Sequence, residues 1–282
     1  LSAWLSRGGF FRPMELLPFI VALAAAGLFA GFVGGLFGIG GGVVIVPALY
    51  AVFSVLGVDE QVRMHVAVGT SLSTIVATSW RSLAAHRKAG AVDMEVLRNW
   101  APWIAGGAIA GAIAAGFANT EALLLVFGGG LLLVALQMGL ADQNWRAFAE
   151  LPRGAARAAI ASGIGLLSAT MGIGGGAFGV TVMTLCGRPI HQAVATASGF
   201  GAAIALPAAL GFVVTGWSRT GLPPWSLGFV SVPGFLALAA LTAITAPLGA
   251  RLAHRLPQRA LKRAFAAFLA LVALNMLRVA LS

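Results

Sequence analysis

Ten stretches of the chain are almost unbroken runs of apolar residues: 16–36, 43–56, 64–85, 99–117, 121–140, 157–171, 177–187, 191–215, 226–247 and 260–280. The charged residues gather at their ends and in the gaps between them. Strands of a membrane barrel would alternate apolar and polar residues over segments of about ten. These runs are instead continuous Ala, Leu, Val and Gly, which predicts helices that satisfy their own backbone groups inside a bilayer. A helix needs about twenty residues to cross the hydrocarbon core. The second and seventh stretches fall short of that and predict half-helices, either re-entrant or completing a broken span.

Both short stretches follow the same interruption. "GIGGG" at 38–42 recurs at 172–176, "HVAVGT" at 65–70 recurs as "HQAVAT" at 191–196, and "LVALQM" at 133–138 recurs as "LVALNM" at 271–276. Three matches in one order at nearly constant offset predict an internal duplication. The expected organisation is a flank at 1–15, a first transmembrane repeat at 16–140, a cytoplasmic linker at 141–156 and a second repeat at 157–282, with five segments in each half. If the short segments return the chain across the membrane, an odd number per half inverts one half relative to the other. Inverted repeats with glycine-interrupted segments at matching positions are a transporter pattern. The run at 16–33 has the hydrophobicity of a signal peptide, but another apolar stretch follows at once and no small-residue cleavage site leads into a polar region. It reads as a retained span.

Composition agrees with an all-α, polytopic integral membrane protein: 59% of the residues are hydrophobic and 9% charged, against about 25% charged in an ordinary soluble domain. The net charge of +10 would suit nucleic acid if the basic residues formed one patch. They lie in short loops instead. The loops at 81–98, 141–157, 188–190 and 248–263 hold thirteen of the 18 Lys and Arg residues, leaving Arg7, Arg12, Arg63, Arg219 and Arg278 for the other side. That bias places the first set in the cytoplasm and both termini outside it, in a multi-pass protein of the cytoplasmic membrane. The expected partner of this charge is the lipid bilayer, not a nucleic acid.

The acidic residues narrow the cargo. All eight fall at segment ends or in loops, so a cationic substrate finds no counter-ion in mid-membrane and the usual carboxylate proton relay has no candidate. There is no cluster of metal ligands and no nucleophile with a partnered base, which points to neither an enzyme, a metal nor a cofactor. The single cysteine, Cys186, cannot form an intrachain disulfide. "GLFGIGGG" superficially resembles a phosphate-binding loop but lacks the Lys-Ser/Thr ending.

A helix that restarts in mid-membrane leaves backbone N–H groups without partners, and its dipole adds positive potential there. Glycine permits the break and lets a ligand approach the backbone. The candidate anion-binding residues are therefore Gly40, Gly41, Gly42 and Val43 in the first half, with Gly174, Gly175, Gly176 and Ala177 in the second. Scattered glycines such as Gly106, Gly107, Gly111 and Gly128 to Gly130 read as helix-packing positions. Thr70 and Ser71, with Thr196 and Ser198, offer hydroxyl donors near the two breaks; the alternative for each is a bond back to its own helix. His65 and His191 occupy equivalent positions and can exchange a proton, so both are candidates for coupling, the alternative being local hydrogen bonding near segment ends.

The paired glycine motifs, "AVGTSL" and "AVATAS" after them, the "AHRKAGAVD" loop and the closing "PLGARLAHRLPQRALKRAFAAFLALVALNML" resemble the TauE/SafE sulfite-exporter family of membrane transporters over roughly Leu16 to Arg278. The resemblance implies a cargo of sulfite, sulfonates or related sulfur-containing anions. In the second half Ala195 and Ala197 flank Thr196 where the first half has Gly-Thr-Ser, so the halves are expected to contribute unequally. The reading is a secondary transporter of a small anionic substrate working by alternating access. A passive anion channel, or an accessory membrane protein without flux, are the alternatives.

Overall fold

A computed structural model describes residues 13–37, 41–140, 150–253 and 257–281. Among them the chain forms ten helices: α1 (Pro13–Phe37), α2 (Gly42–Val55), α3 (Glu60–Lys88), α4 (Met94–Phe117), α5 (Thr120–Leu140), α6 (Gly154–Met171), α7 (Gly176–Leu185), α8 (Ile190–Gly216), α9 (Val232–Ala253) and α10 (Gln258–Ala280). The short second and seventh stretches are the 14-residue α2 and the 10-residue α7. The protein is a polytopic all-α membrane protein. By length and composition α4, α5, α8 and the apolar parts of α9 and α10 can each cross a bilayer. α3 is long but amphiphilic, because it turns Thr70, Ser71, Thr74 and Ser79 into the interior.

Local chemistry sets the helix ends. Asp59 caps α3 by accepting the N–H of Gln61, and Asp93 caps α4 by accepting that of Val96, each satisfying a donor the helix cannot. His86, Arg87 and Lys88 close α3, where cations suit the negative end of the dipole.

Helix pairing follows a crossed pattern: α1 packs on α9, α4 on α6, α5 on α10 and α3 on α8. Lipid supplies no hydrophobic drive between helices, so close van der Waals contact must hold them. Gly31 and Gly35 of α1 bring Thr242 and Ala246 of α9 against the helix backbone, and Gly249 of α9 does the same for Phe32. In the α4–α6 pair a methyl group at Gly107 would meet the Ser162 carbonyl, one at Gly111 that of Leu166, and one at Gly165 that of Ile104. Gly128 and Gly130 also abut neighbours, whereas Gly106 and Gly129 face open space. The lipid-facing surface is apolar, with Leu133, Leu140, Val214 and Leu271 among its most exposed residues.

One predicted span begins later than the apolar pattern suggests. Residues 226–231 form a small hairpin, Ser226–Leu227 pairing antiparallel with Val230–Ser231, and α9 starts only at Val232. Gly221, Pro223 and Pro224 interrupt helix formation before it, and Gly228 turns the hairpin at φ 54°. Phe229, at the turn, is buried between α3 and α8.

Candidate functional site

The two glycine breaks meet at the centre of the protein. α6 ends with Gly172 in the left-handed region (φ 71°), its N–H donating to the Ala169 carbonyl and that of Ile173 to the Ser168 carbonyl, the closing pattern of a helix that stops at glycine. α7 then starts behind Gly175 (φ 68°), and α2 starts behind Gly41 (φ 80°). Neither start carries a side-chain cap. A side chain at either glycine would be strained by the backbone alone. Gly42 packs its Cα against the carbonyl of Gly172 and the backbone of Ile173.

Gly42, Val43, Gly174, Gly175, Gly176 and Ala177 are all buried here, while Gly40 lies outside the described residues. The hydroxyls have definite partners. Ser71 donates to the Gly172 carbonyl at 2.8 Å and so ties α3 to the second break. Thr70 accepts the N–H of Ser231 at 2.9 Å, and Thr196 accepts that of Asp93 at 2.9 Å. These two threonines make equivalent contacts, each holding the residue in front of a long helix of the other half. Ser198 bonds back to the Ala195 carbonyl at 2.6 Å, a local arrangement within its own helix.

The two histidines part company. His191 is exposed. His65 is buried, its Nε2 3.0 Å from the Ala115 carbonyl and 3.1 Å from that of Ala118 at the end of α4. Two carbonyl acceptors place a proton on Nε2. Nδ1 has no hydrogen-bond partner, and the ring stacks on Phe229 with centroids 4.8 Å apart.

His65 and Phe229 are also buried residues lining a cavity of about 680 Å3, whose exposed wall includes Asp59, Glu60, Glu121 and Arg219. One turn along α3 from His65, Gly69 abuts the Phe229 carbonyl; Thr70 and Ser71 follow, and with Ser71 the glycine breaks. At the opposite end of the molecule Asp93 pairs with Arg188 at 3.6 Å, closing the N-terminus of α4 onto the α7–α8 turn.

Phe229 and Ser168 are interior residues that sequence reasoning missed. Phe229 looked like one more apolar residue of a span. Ser168, fully buried on α6, has a hydroxyl without a hydrogen-bond partner; its nearest signal was its place four residues ahead of "GIGGG".

A family model for "Sulfite exporter TauE/SafE" matches residues 23–276. A probable membrane transporter protein of Haemophilus influenzae is 34% identical, the alignment covering 93% of this chain and 99% of that protein. A second probable membrane transporter protein, from Methanocaldococcus jannaschii, is 27% identical over 95% of this chain and 97% of its own length. A third, from Bacillus subtilis, is 31% identical over 58% of this chain and 67% of its own. No solved structure matches the chain.

Proposed function

The chain belongs to the sulfite exporter TauE/SafE family, and we propose that it is a secondary transporter carrying a small anion, a sulfur oxyanion or organosulfonate, across the cytoplasmic membrane by alternating access. The observation that carries this reading is the meeting of two uncapped helix starts in the buried centre, with no Asp or Glu among the buried polar residues described. Backbone N–H groups and helix dipoles favour an anion there without a charged side chain. The two sets of five helices act as inverted repeats, supported by the crossed pairing in which α1 with α9 mirrors α6 with α4. The hydroxyl protons of Thr70 and Thr196 line the path when the helices they hold move apart.

The cavity beside Arg219 faces outward on the charge distribution, and His65 with Phe229 closes its inner end while Asp93 and Arg188 close the other face. Two separate closures suit alternating access better than a continuous pore. In proteoliposomes the purified protein should move sulfite or sulfoacetate with a saturable rate and accelerate exchange when unlabelled anion is present on the far side. Flux linear in concentration without counterflow would make it a channel, and absence of both flux and anion binding would leave the accessory reading.

A further inference from the structure

Resting on that anion-transport reading, we infer that the anion is held directly by the second break, by the first-turn N–H groups of α7 together with the hydroxyl of Ser168, and that the first break packs against it and adds its dipole without touching the anion. Ser168 sits in the last turn of α6, where the Gly172 closure fixes its backbone through the Ile173 N–H. It is 0% exposed and its Oγ has no hydrogen-bond partner. A methyl group at Gly175, the residue in front of α7, would stand 3.7 Å from that oxygen. The hydroxyl therefore lies at the mouth of an uncapped helix start. The buried hydroxyls of Ser71, Thr74, Thr170 and Ser198, by contrast, have all committed their protons to carbonyls. A buried hydroxyl left without a partner is unfavourable, and a bound oxyanion satisfies it.

The two breaks differ in what else surrounds them. In α7 the first helical bond runs from the Gly179 N–H to the Gly175 carbonyl at 2.8 Å, so the N–H groups of Gly176, Ala177 and Phe178 precede any helical acceptor. In α2 both Val44 and Ile45 donate to the Gly41 carbonyl, at 2.9 and 3.0 Å. The space beside Gly42 is filled by the Gly172 carbonyl and Ile173 backbone, and that beside Gly175 by the end of the Ile204 side chain; a fixed carbonyl oxygen repels an anion, whereas a side-chain methyl can turn aside. Aligning the two motifs sets Ser168 opposite Gly34, "GGLFGIGGG" against "SATMGIGGG". The hydroxyl exists in one half only.

Three N–H groups and one O–H match the oxygens of a single sulfonate or hydrogensulfite head. With a neutral lining, a singly charged oxyanion is preferred to sulfate, because the cost of desolvating an ion rises steeply with its charge. The test measures binding of methanesulfonate, hydrogensulfite and sulfate to purified wild type, Ser168→Ala and Ser168→Cys, with thermal stability followed with and without ligand. Wild type should bind the two monoanions and favour them over sulfate. Ser168→Ala should lose about tenfold or more in affinity, as expected for a hydrogen bond to a charged group, while its ligand-free stability stays equal or rises. Ser168→Cys, a weaker donor of similar shape, should fall between. A merely structural serine would instead lower ligand-free stability and leave affinity unchanged, which overturns the assignment but not the transport reading. Wild type that binds neither monoanion overturns both.

Discussion

The hydroxyl of Thr196 on α8 accepts the backbone N–H of Asp93 at 2.9 Å, tying the N-terminal cap of α4 to a helix that follows it by about a hundred residues. Thr70 does the same for Ser231 in front of α9. Replacing either threonine by valine keeps the shape and removes the acceptor, leaving an N–H unsatisfied, buried at Ser231 and partly buried at Asp93, at a cost of about 1–3 kcal/mol. Both variants should therefore melt earlier in detergent, by similar amounts, while serine at either position restores most of the loss. Unequal effects, with one valine variant as stable as wild type, would break the equivalence of the two contacts.

Gly175→Leu should abolish anion binding. The residue has φ 68°, and the space for a side chain is taken by Ile204, so leucine both strains the backbone and covers the start of α7. Gly41→Leu, with φ 80° and the Ala30 carbonyl against it, should reduce folded protein more than affinity. Dye-based melting beside ligand titration separates the two outcomes, and undiminished binding in Gly175→Leu would remove α7 from the site.

Phe229→Ala should open the inner end of the outward cavity. The lost packing costs roughly 3 kcal/mol, so folded protein is selected first by gel filtration. In a Cys186→Ser background, a cysteine at Ser71 should then react with a membrane-impermeant reagent added from outside, and should remain protected when Phe229 is intact. Equal protection in both would mean that the ring does not separate cavity from centre.

Topology makes a separate prediction. In the same background, cysteines at exposed Ala89 and Ser218 should label from opposite sides, Ala89 from the cytoplasm. Labelling of both from one side would exclude the inverted arrangement.

With neutral donors in the centre, sulfite and sulfoacetate should compete with each other and bind better than taurine, whose ammonium finds no buried carboxylate among the described residues. Competition titrations read this directly. Tighter binding of taurine than of either anion would contradict a site made of helix starts.

The short helices and their glycine starts were legible because "GIGGG" twice precedes an apolar run too short to span, a combination that packing alone does not demand. The hairpin was not, since "SLGFVS" is as apolar as the helix it precedes and only the prolines ahead of it hint at a break. Thr70 and Thr196 stood out by repetition, but repetition marks equivalent contacts without saying whether the partner is a ligand or a backbone N–H. His65 and His191 show the limit from the other side: one register position is buried against Phe229 and the end of α4, its counterpart is exposed, and among the described residues only the second half carries the hairpin that supplies Phe229. Ser168 lacked even repetition. What sets it apart is a buried hydroxyl without a hydrogen-bond partner, which only three-dimensional packing can show.

The glycine seam of α1 also bears on how the protein is made. Gly31 meets Thr242, so 211 residues must be synthesised after Gly31 before its neighbour is reached. α4, by contrast, finds α6 after one intervening helix. The helix that fits the glycine seam of α1 is thus the eighth tract made after it, α2 to α9 in order. A nascent chain stopped after α8 would hold both members of the α4–α6 pair and an α1 still without the helix its glycine seam fits.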